Sequence, residues 1–237
     1  MELSDHHTYA RKWMDETAHL DGSGIYEKLV TLLPLGRVLE VGCGAGRGTS
    51  WLAKDHDILA LDNNADLIEA ASKAVAEATS DVVFRNCDLF SLSGADKETI
   101  RHFSPRIITA WFIGGSGTDV LRHTTEQPAP LEKGKLYREK IEDIIVSGDL
   151  LVDTIDTISL VNRSGRISHI PDREAIDATI EDYNTYVFDK VGFEVSEVKF
   201  FDWPIEGSSF MYGAANNPNL APGTPVPTIV SIVARRK

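Results

Sequence analysis

The sequence predicts an α/β protein: a doubly wound, mostly parallel sheet of seven strands with an antiparallel last strand, under an N-terminal helical lid. Three observations carry that reading. Short apolar runs alternate with helical periodicity between residues 37 and 150. A glycine-rich turn, VGCGAGRG, separates the first apolar run from the first helical segment of that series. The tail then breaks the alternation. Strand-like runs at 193–203 and 228–235 are joined by a Pro/Gly/Asn-rich loop with no helix, so the two should pair antiparallel.

In chain order, residues 1–36 read as helical, with Tyr9, Trp13, Ala18, Ile25, Leu29 and Leu32 recurring at roughly helical spacing. The pattern breaks at 21–24 and stops at Pro34 and Gly36. RVLEV (37–41) is a buried strand. A helix follows the glycines at 49–55, and DILAL (57–61) is a second strand ending at Asp62. The Ala-rich stretch 65–79 sets Leu67, Ile68, Ala71, Val75 and Ala78 on one helical face. Residues 82–85 form a third strand, followed by Asn86, Cys87 and Asp88. RIITAWFI (106–113) is a fourth strand, ending in GGSG. A helix at 135–147 leads to a fifth strand, LLVDTI (150–155). Pro-Asp opens a helix at 171–191, and FEVSEVKFFDW (193–203) alternates like a half-exposed strand. Residues 1–36 are expected to form a helical cap, and 37–237 one structural domain.

The 237 residues are 42% hydrophobic, enough for a substantial core. The formal net charge is −12, and no basic cluster interrupts it, which argues against a nucleic acid partner. Two cysteines, Cys43 and Cys87, make neither a disulfide framework nor a four-thiolate zinc site. They read as small buried hydrophobes. The opening residues are polar, unlike a secretory leader, and no apolar run is long enough to span a membrane. The expectation is a cytoplasmic monomer or homodimer with no bound metal.

The glycines fall at 42, 44, 46 and 48. A dinucleotide GxGxxG frame needs glycine at 47, where Arg47 stands. The stretch Glu40-Val41-Gly42-Cys43-Gly44-Ala45-Gly46 instead resembles the first motif of the class I S-adenosylmethionine-dependent methyltransferases. That motif has an acid, one residue, then GxGxG after a hydrophobic strand. Asp62 closes the next strand, as the family's second acid does, and RNCDLF places Asp88 after the third. The resemblance covers about 37–160 and implies a Rossmann-like fold with S-adenosyl-L-methionine as cofactor and S-adenosyl-L-homocysteine as product. It further implies that Glu40 accepts from the cofactor's amino group, and that Gly42, Cys43, Gly44 and Gly46 shape the turn beside its methionine part. Asp62 would take the ribose diol, and Asn63 would flank the adenine. Cys87, Asp88 and Leu89 would meet the adenine edge, and Trp111 would end the fourth strand beside the cofactor.

The expected function is methyl transfer by in-line displacement to an N or O nucleophile of a small-molecule acceptor. The (D/N)PP(Y/F) signature of nucleobase and glutamine enzymes is absent, since the fourth strand gives AWFIGG, and so is the acid set of the catechol type. Trp13, Phe112, Phe210, Tyr212 and Asn216 are expected at the substrate. Tyr9, His123 and Asp156 are candidates for a general base. Two alternatives stand beside this reading: aminopropyl transfer on the same fold, which would use acids such as Asp153 and Asp156, and a non-catalytic cofactor-binding subunit.

Overall fold

The computed structural model describes residues 4–78, 80–127, 129–210 and 223–237. Its centre is a seven-stranded sheet in the order β3-β2-β1-β4-β5-β7-β6. The strands are β1 (Val38–Val41), β2 (Ile58–Asp62), β3 (Val82–Asn86), β4 (Ile107–Trp111), β5 (Thr157–Ile167), β6 (Phe193–Asp202) and β7 (Pro225–Arg236). The first five run parallel, and β7 lies antiparallel between β5 and β6. The mostly parallel sheet with its antiparallel last strand is therefore as the sequence predicts.

Side-chain alternation divides each strand between two cores. Val38, Ile58, Ala60 and Ile107 face one side. That side is covered by α1 (His6–Gly22), α2 (Ile25–Val30), α3 (Arg47–Leu52) and α4 (Ala65–Ala74). Leu39, Val41, Leu59, Leu61 and Ile108 face the other. There they meet α5 (Gly94–Phe103), α6 (Gly117–His123), α7 (Pro130–Ile145) and α8 (Asp172–Tyr183). The helices after β1 and β2 thus cover one face and those after β3 and β4 the other. This makes the β1/β4 junction the switch point, where such sheets open a crevice at their carboxyl ends.

Helix α1 begins at Asp5, whose carboxylate accepts from the Thr8 amide at 2.7 Å. It buries Ala10, Trp13, Thr17 and Leu20 on one face, together with the carboxylate of Glu16. The chain turns at Ser23–Gly24, inside the break that the sequence marks, and α2 follows.

The fifth strand is a correction. LLVDTI is not a strand: Val152 N–H donates to Leu150 and Ile155 N–H to Val152, closing a tight turn whose Leu150 and Ile155 plug the core. The strand is the next run, TISLVNRSGRI, with its first five residues buried. Its polar second half hides it from a hydrophobicity pattern, yet that half pairs with β7 as far as Ile167↔Pro225. Helices α5 and α6 lie where the sequence reading assigned none. Helix α8 ends at Tyr183, and a wide turn (Asn184–Phe188) and a tight one (Asp189–Val191) carry the chain to β6.

Candidate active site

The carboxyl ends of β1, β2, β3 and β4 converge on one pocket. Its floor is Gly42, Gly44, Leu61, Asp62 and Asn63, and one side is Cys87, Asp88, Leu89 and Phe90. The opposite side is Phe112–Gly115. Tyr9 and Trp13 of α1 close it from above, and Tyr137 and Ile141 of α7 close its end.

The glycine turn is tight because α4 presses on it. A Cβ at Gly46 would lie 2.6 Å from the Ala71 backbone, and its φ of 80° is left-handed. Asp62 knits the turn to the start of α4. Its two oxygens accept from the Gly44 and Asn64 amides, each at 2.9 Å. Burial raises the Asp62 pKa, and these amides together with that of Asn63 pull against the rise. Glu40 does not line the pocket. It lies under α3, buried, accepting from Thr49 Oγ1 at 2.7 Å. Burial pushes its pKa up to about 8 against the Thr49 hydrogen bond, and the Asp62 charge adds to the rise.

Asp88 sits at the pocket edge and caps the turn Leu89–Ser91, accepting from the Phe90 amide at 2.9 Å. Cys43 and Cys87 are free and buried. Burial raises both thiols, that of Cys87 to about 12, so both stay protonated and pack as hydrophobes.

At the end of β4, Trp111 turns away from the pocket, against the expectation that it ends the strand beside the cofactor. It packs on Tyr26, and its Nε1 donates to Ser159 Oγ at 3.0 Å. Strand alternation puts it on the same side as Glu40. Phe112 faces the pocket with a left-handed φ of 57°. Such a conformation is uncommon for a bulky residue and often marks a functional site. Its amide bonds to the Val161 carbonyl at 2.8 Å, and its ring meets Tyr26 edge-on.

Beyond Phe112 the chain runs Ile113-Gly114-Gly115. The two glycines leave room for phenol hydroxyls: a Cβ at Gly114 would lie 3.1 Å from Tyr9 Oη, and one at Gly115 2.9 Å from Tyr137 Oη. The sequence reading passed over Tyr137. Its signal was the spacing of Tyr137, Ile141 and Ile145 along one face of a predicted helix. Burial holds its hydroxyl far above the usual phenol range, so it acts as a neutral hydrogen-bonding group.

Trp13 stacks nearly parallel to Tyr9, and Phe210 tilts onto both at 5.9 Å. His123 lies outside the pocket wall, stacked on Phe90 at 3.9 Å. Tyr212 and Asn216 lie outside the described residues. Asp156 is the clear misplacement. It precedes β5 and so sits at the opposite edge of the sheet, where Arg106 donates to it and its backbone carbonyl accepts from Arg236. The shifted start of the fifth strand is the cause. Asp153 lies in the same turn.

Helix α1 is fastened at both ends. Asn64 Nδ2 donates to the His6 carbonyl, His7 pairs with Asp66 at 2.8 Å, and His19 Nε2 donates to the Pro204 carbonyl at 2.7 Å. At its middle, Glu16 accepts from Ser208 Oγ and the Ser209 amide and lies 3.6 Å from the Arg163 guanidinium. Among the described residues, no helix is long and apolar enough to cross a membrane.

The fold and site define an α/β protein with a ligand pocket at the switch point of its sheet, floored by a glycine turn and a carboxylate. Residues 38–105 match the family model described as a methyltransferase domain. That match and the sheet order make the chain similar to the class I S-adenosylmethionine-dependent methyltransferases. Among solved structures it is similar to the N-methyltransferase NodS from Bradyrhizobium japonicum WM9, in complex with S-adenosyl-L-homocysteine (14% identity, 99% of this chain and 94% of that one, TM-score 0.51). It also matches a TehB-like methyltransferase from Corynebacterium glutamicum (18%, 98% and 98%, TM-score 0.47). A third match is magnesium protoporphyrin IX methyltransferase from Synechocystis PCC 6803 (15%, 97% and 84%, TM-score 0.47). No curated protein sequence matches the chain.

Proposed function

We propose that this protein transfers a methyl group from S-adenosyl-L-methionine to an N or O nucleophile of a small-molecule acceptor. The observation that carries the reading is the pairing of two subsites in one pocket. One end offers backbone amides and carboxylates, and the other offers two phenol hydroxyls between aromatic walls. The first end suits a nucleoside with an amino acid tail. Asp62 would accept from the ribose diol with the lone pairs its amide bonds leave open. Asp88 and the Leu89 amide would meet the adenine edge, with Asn63 beside it. Gly42 and Gly44 would let the methionine part lie against the backbone, with Cys43, Gly46 and Glu40 holding the turn from behind.

When bound, the cofactor supplies a methyl group activated by an adjacent sulfonium charge. The chain's own task is to align the acceptor and keep water out. Tyr9 and Tyr137 would hold the acceptor by hydrogen bonds, and Trp13, Phe112 and Phe210 would enclose it. Tyr9 remains the base candidate within reach. His123 is screened by Phe90, and Asp156 is at the wrong edge. The closed roof of α1 and the acidic surface support a small acceptor over a nucleic acid. The aminopropyl alternative loses Asp153 and Asp156, the acids on which it rested.

The first test is calorimetric titration with S-adenosyl-L-methionine, S-adenosyl-L-homocysteine and NAD. Binding of the first two and none of NAD is expected. The reverse pattern, or no binding at all, would remove the reading.

A further inference from the structure

The walls of the pocket divide by charge. Its two carboxylates, Asp62 and Asp88, both stand at strand ends on the side of the glycine turn. The rest of the lining, from Tyr9 and Trp13 of α1 through Phe112 and Gly115 to Tyr137 of α7, carries no charged group. Residues 211–222, the part of the final loop outside the described residues, hold no acid, lysine, arginine or histidine either.

The charges behind this neutral end are already matched. The Arg163 guanidinium, from β5, lies 5.1 Å from the Trp13 ring centre and 5.9 Å from that of Phe112. It faces the wholly buried Glu16 carboxylate at 3.6 Å. An anion entering beside these rings would meet no open cation in the lining and would keep its desolvation cost. A cation fares no better. Aromatic faces attract cations, but Arg163 already takes up that attraction at Trp13 and Phe112 and would repel a second positive charge.

Two features of this end do call for a ligand. Tyr9 and Trp13 lie within 4° of parallel, and Phe210 tilts onto both, so the walls suit a flat ring. The Tyr137 side chain is 4% exposed, and its hydroxyl lies beside Gly115 in the pocket wall. No described residue supplies that hydroxyl with a hydrogen-bond partner. Burial keeps its proton on, so it is a donor without an acceptor. Such a group is costly until something accepts from it.

We infer that the methyl acceptor is an uncharged, flat aromatic or heteroaromatic molecule that stacks among Trp13, Phe112 and Phe210 and offers Tyr137 one hydrogen-bond-accepting atom. This rests on the methyl-transfer reading and names the acceptor class for it.

The test is calorimetry on the full chain saturated with S-adenosyl-L-homocysteine. It is titrated with four compounds on one bicyclic skeleton: quinoline (neutral, with an accepting ring nitrogen), naphthalene (neutral, without one), 2-naphthoate (an anion) and N-methylquinolinium (a cation). Quinoline is expected to bind tightest, with the two ions weaker by about tenfold or more. Tyr137→Phe should weaken quinoline by about three- to tenfold, to the level of naphthalene, and leave naphthalene and S-adenosyl-L-homocysteine as they were. Either ion binding as tightly as quinoline, no binding of quinoline, or a quinoline affinity unmoved in Tyr137→Phe overturns the proposal and leaves the methyl-transfer reading standing. No binding of S-adenosyl-L-homocysteine overturns that reading, and this proposal with it.

Discussion

The indole Nε1 of Trp13 rests against Gly44 so closely that any side chain at that position would overlap it. The roof of the pocket and its glycine floor are therefore in direct contact. Gly44 also has a left-handed φ of 54°. We expect Gly44→Ala to lower thermal stability and to weaken S-adenosyl-L-homocysteine binding by about tenfold or more, from backbone strain and overlap together. Adding Trp13→Ala should recover part of the stability and leave the strain. Denaturant titration of the two single variants and the double variant measures this. Strict additivity would mean the contact carries no energy.

Asp62 bridges the glycine turn and α4 while facing the pocket. Asp62→Ala should weaken cofactor binding by about 1–3 kcal/mol, the scale of charge-assisted hydrogen bonds. Calorimetry reads it directly, and unchanged affinity would sink the site assignment.

Tyr137 supplies a neutral hydroxyl to the pocket wall. Tyr137→Phe should cut kcat/KM by about 10- to 100-fold and leave cofactor affinity as it was. Because its phenol stays protonated, the pH–rate profile should keep its shape in the variant. A lost basic limb would instead identify Tyr137 as the titrating group.

Glu40 has a native pKa near 8 against an unfolded value of 4.5. Between those values the unfolded chain has released a proton that the native state keeps, so stability falls as pH rises from about 5 to about 8. Glu40→Gln should flatten this slope, which thermal melts across that range would show. An equal slope in both proteins would place the ionisation elsewhere.

Glu16 is buried against Arg163 and ties α1 to residues 208 and 209. Glu16→Ala should cost about 3–5 kcal/mol by leaving the guanidinium without its partner. A loss below about 1 kcal/mol would mean that water reaches the pair.

The fold and the strand-end positions of the motif residues were legible because their signals are local. Strand-to-helix turns, period changes and a motif of seven residues all sit within short windows. The glycines, Asp62 and Asp88 therefore fell where the sequence implied. Trp111 was misplaced by the alternation of one strand, which the motif alone does not show. Asp156 went astray because an apolar turn imitates a strand just before the real one. Tyr9, Trp13 and Tyr137 meet at one pocket only when α1 and α7 pack over the strand ends, and no spacing along the chain announces that meeting.

The placement of β7 between β5 and β6 also bears on how the chain is made. During synthesis β6 leaves the ribosome before the strand it pairs with, and the outer edge of β5 waits for the same partner. Until residues 225–236 emerge, the nascent domain presents two open sheet edges at once. That interval is when the growing chain is most exposed to pairing with a neighbour. A ribosome stalled between β6 and β7 should therefore yield an intermediate that recruits chaperones and aggregates without them.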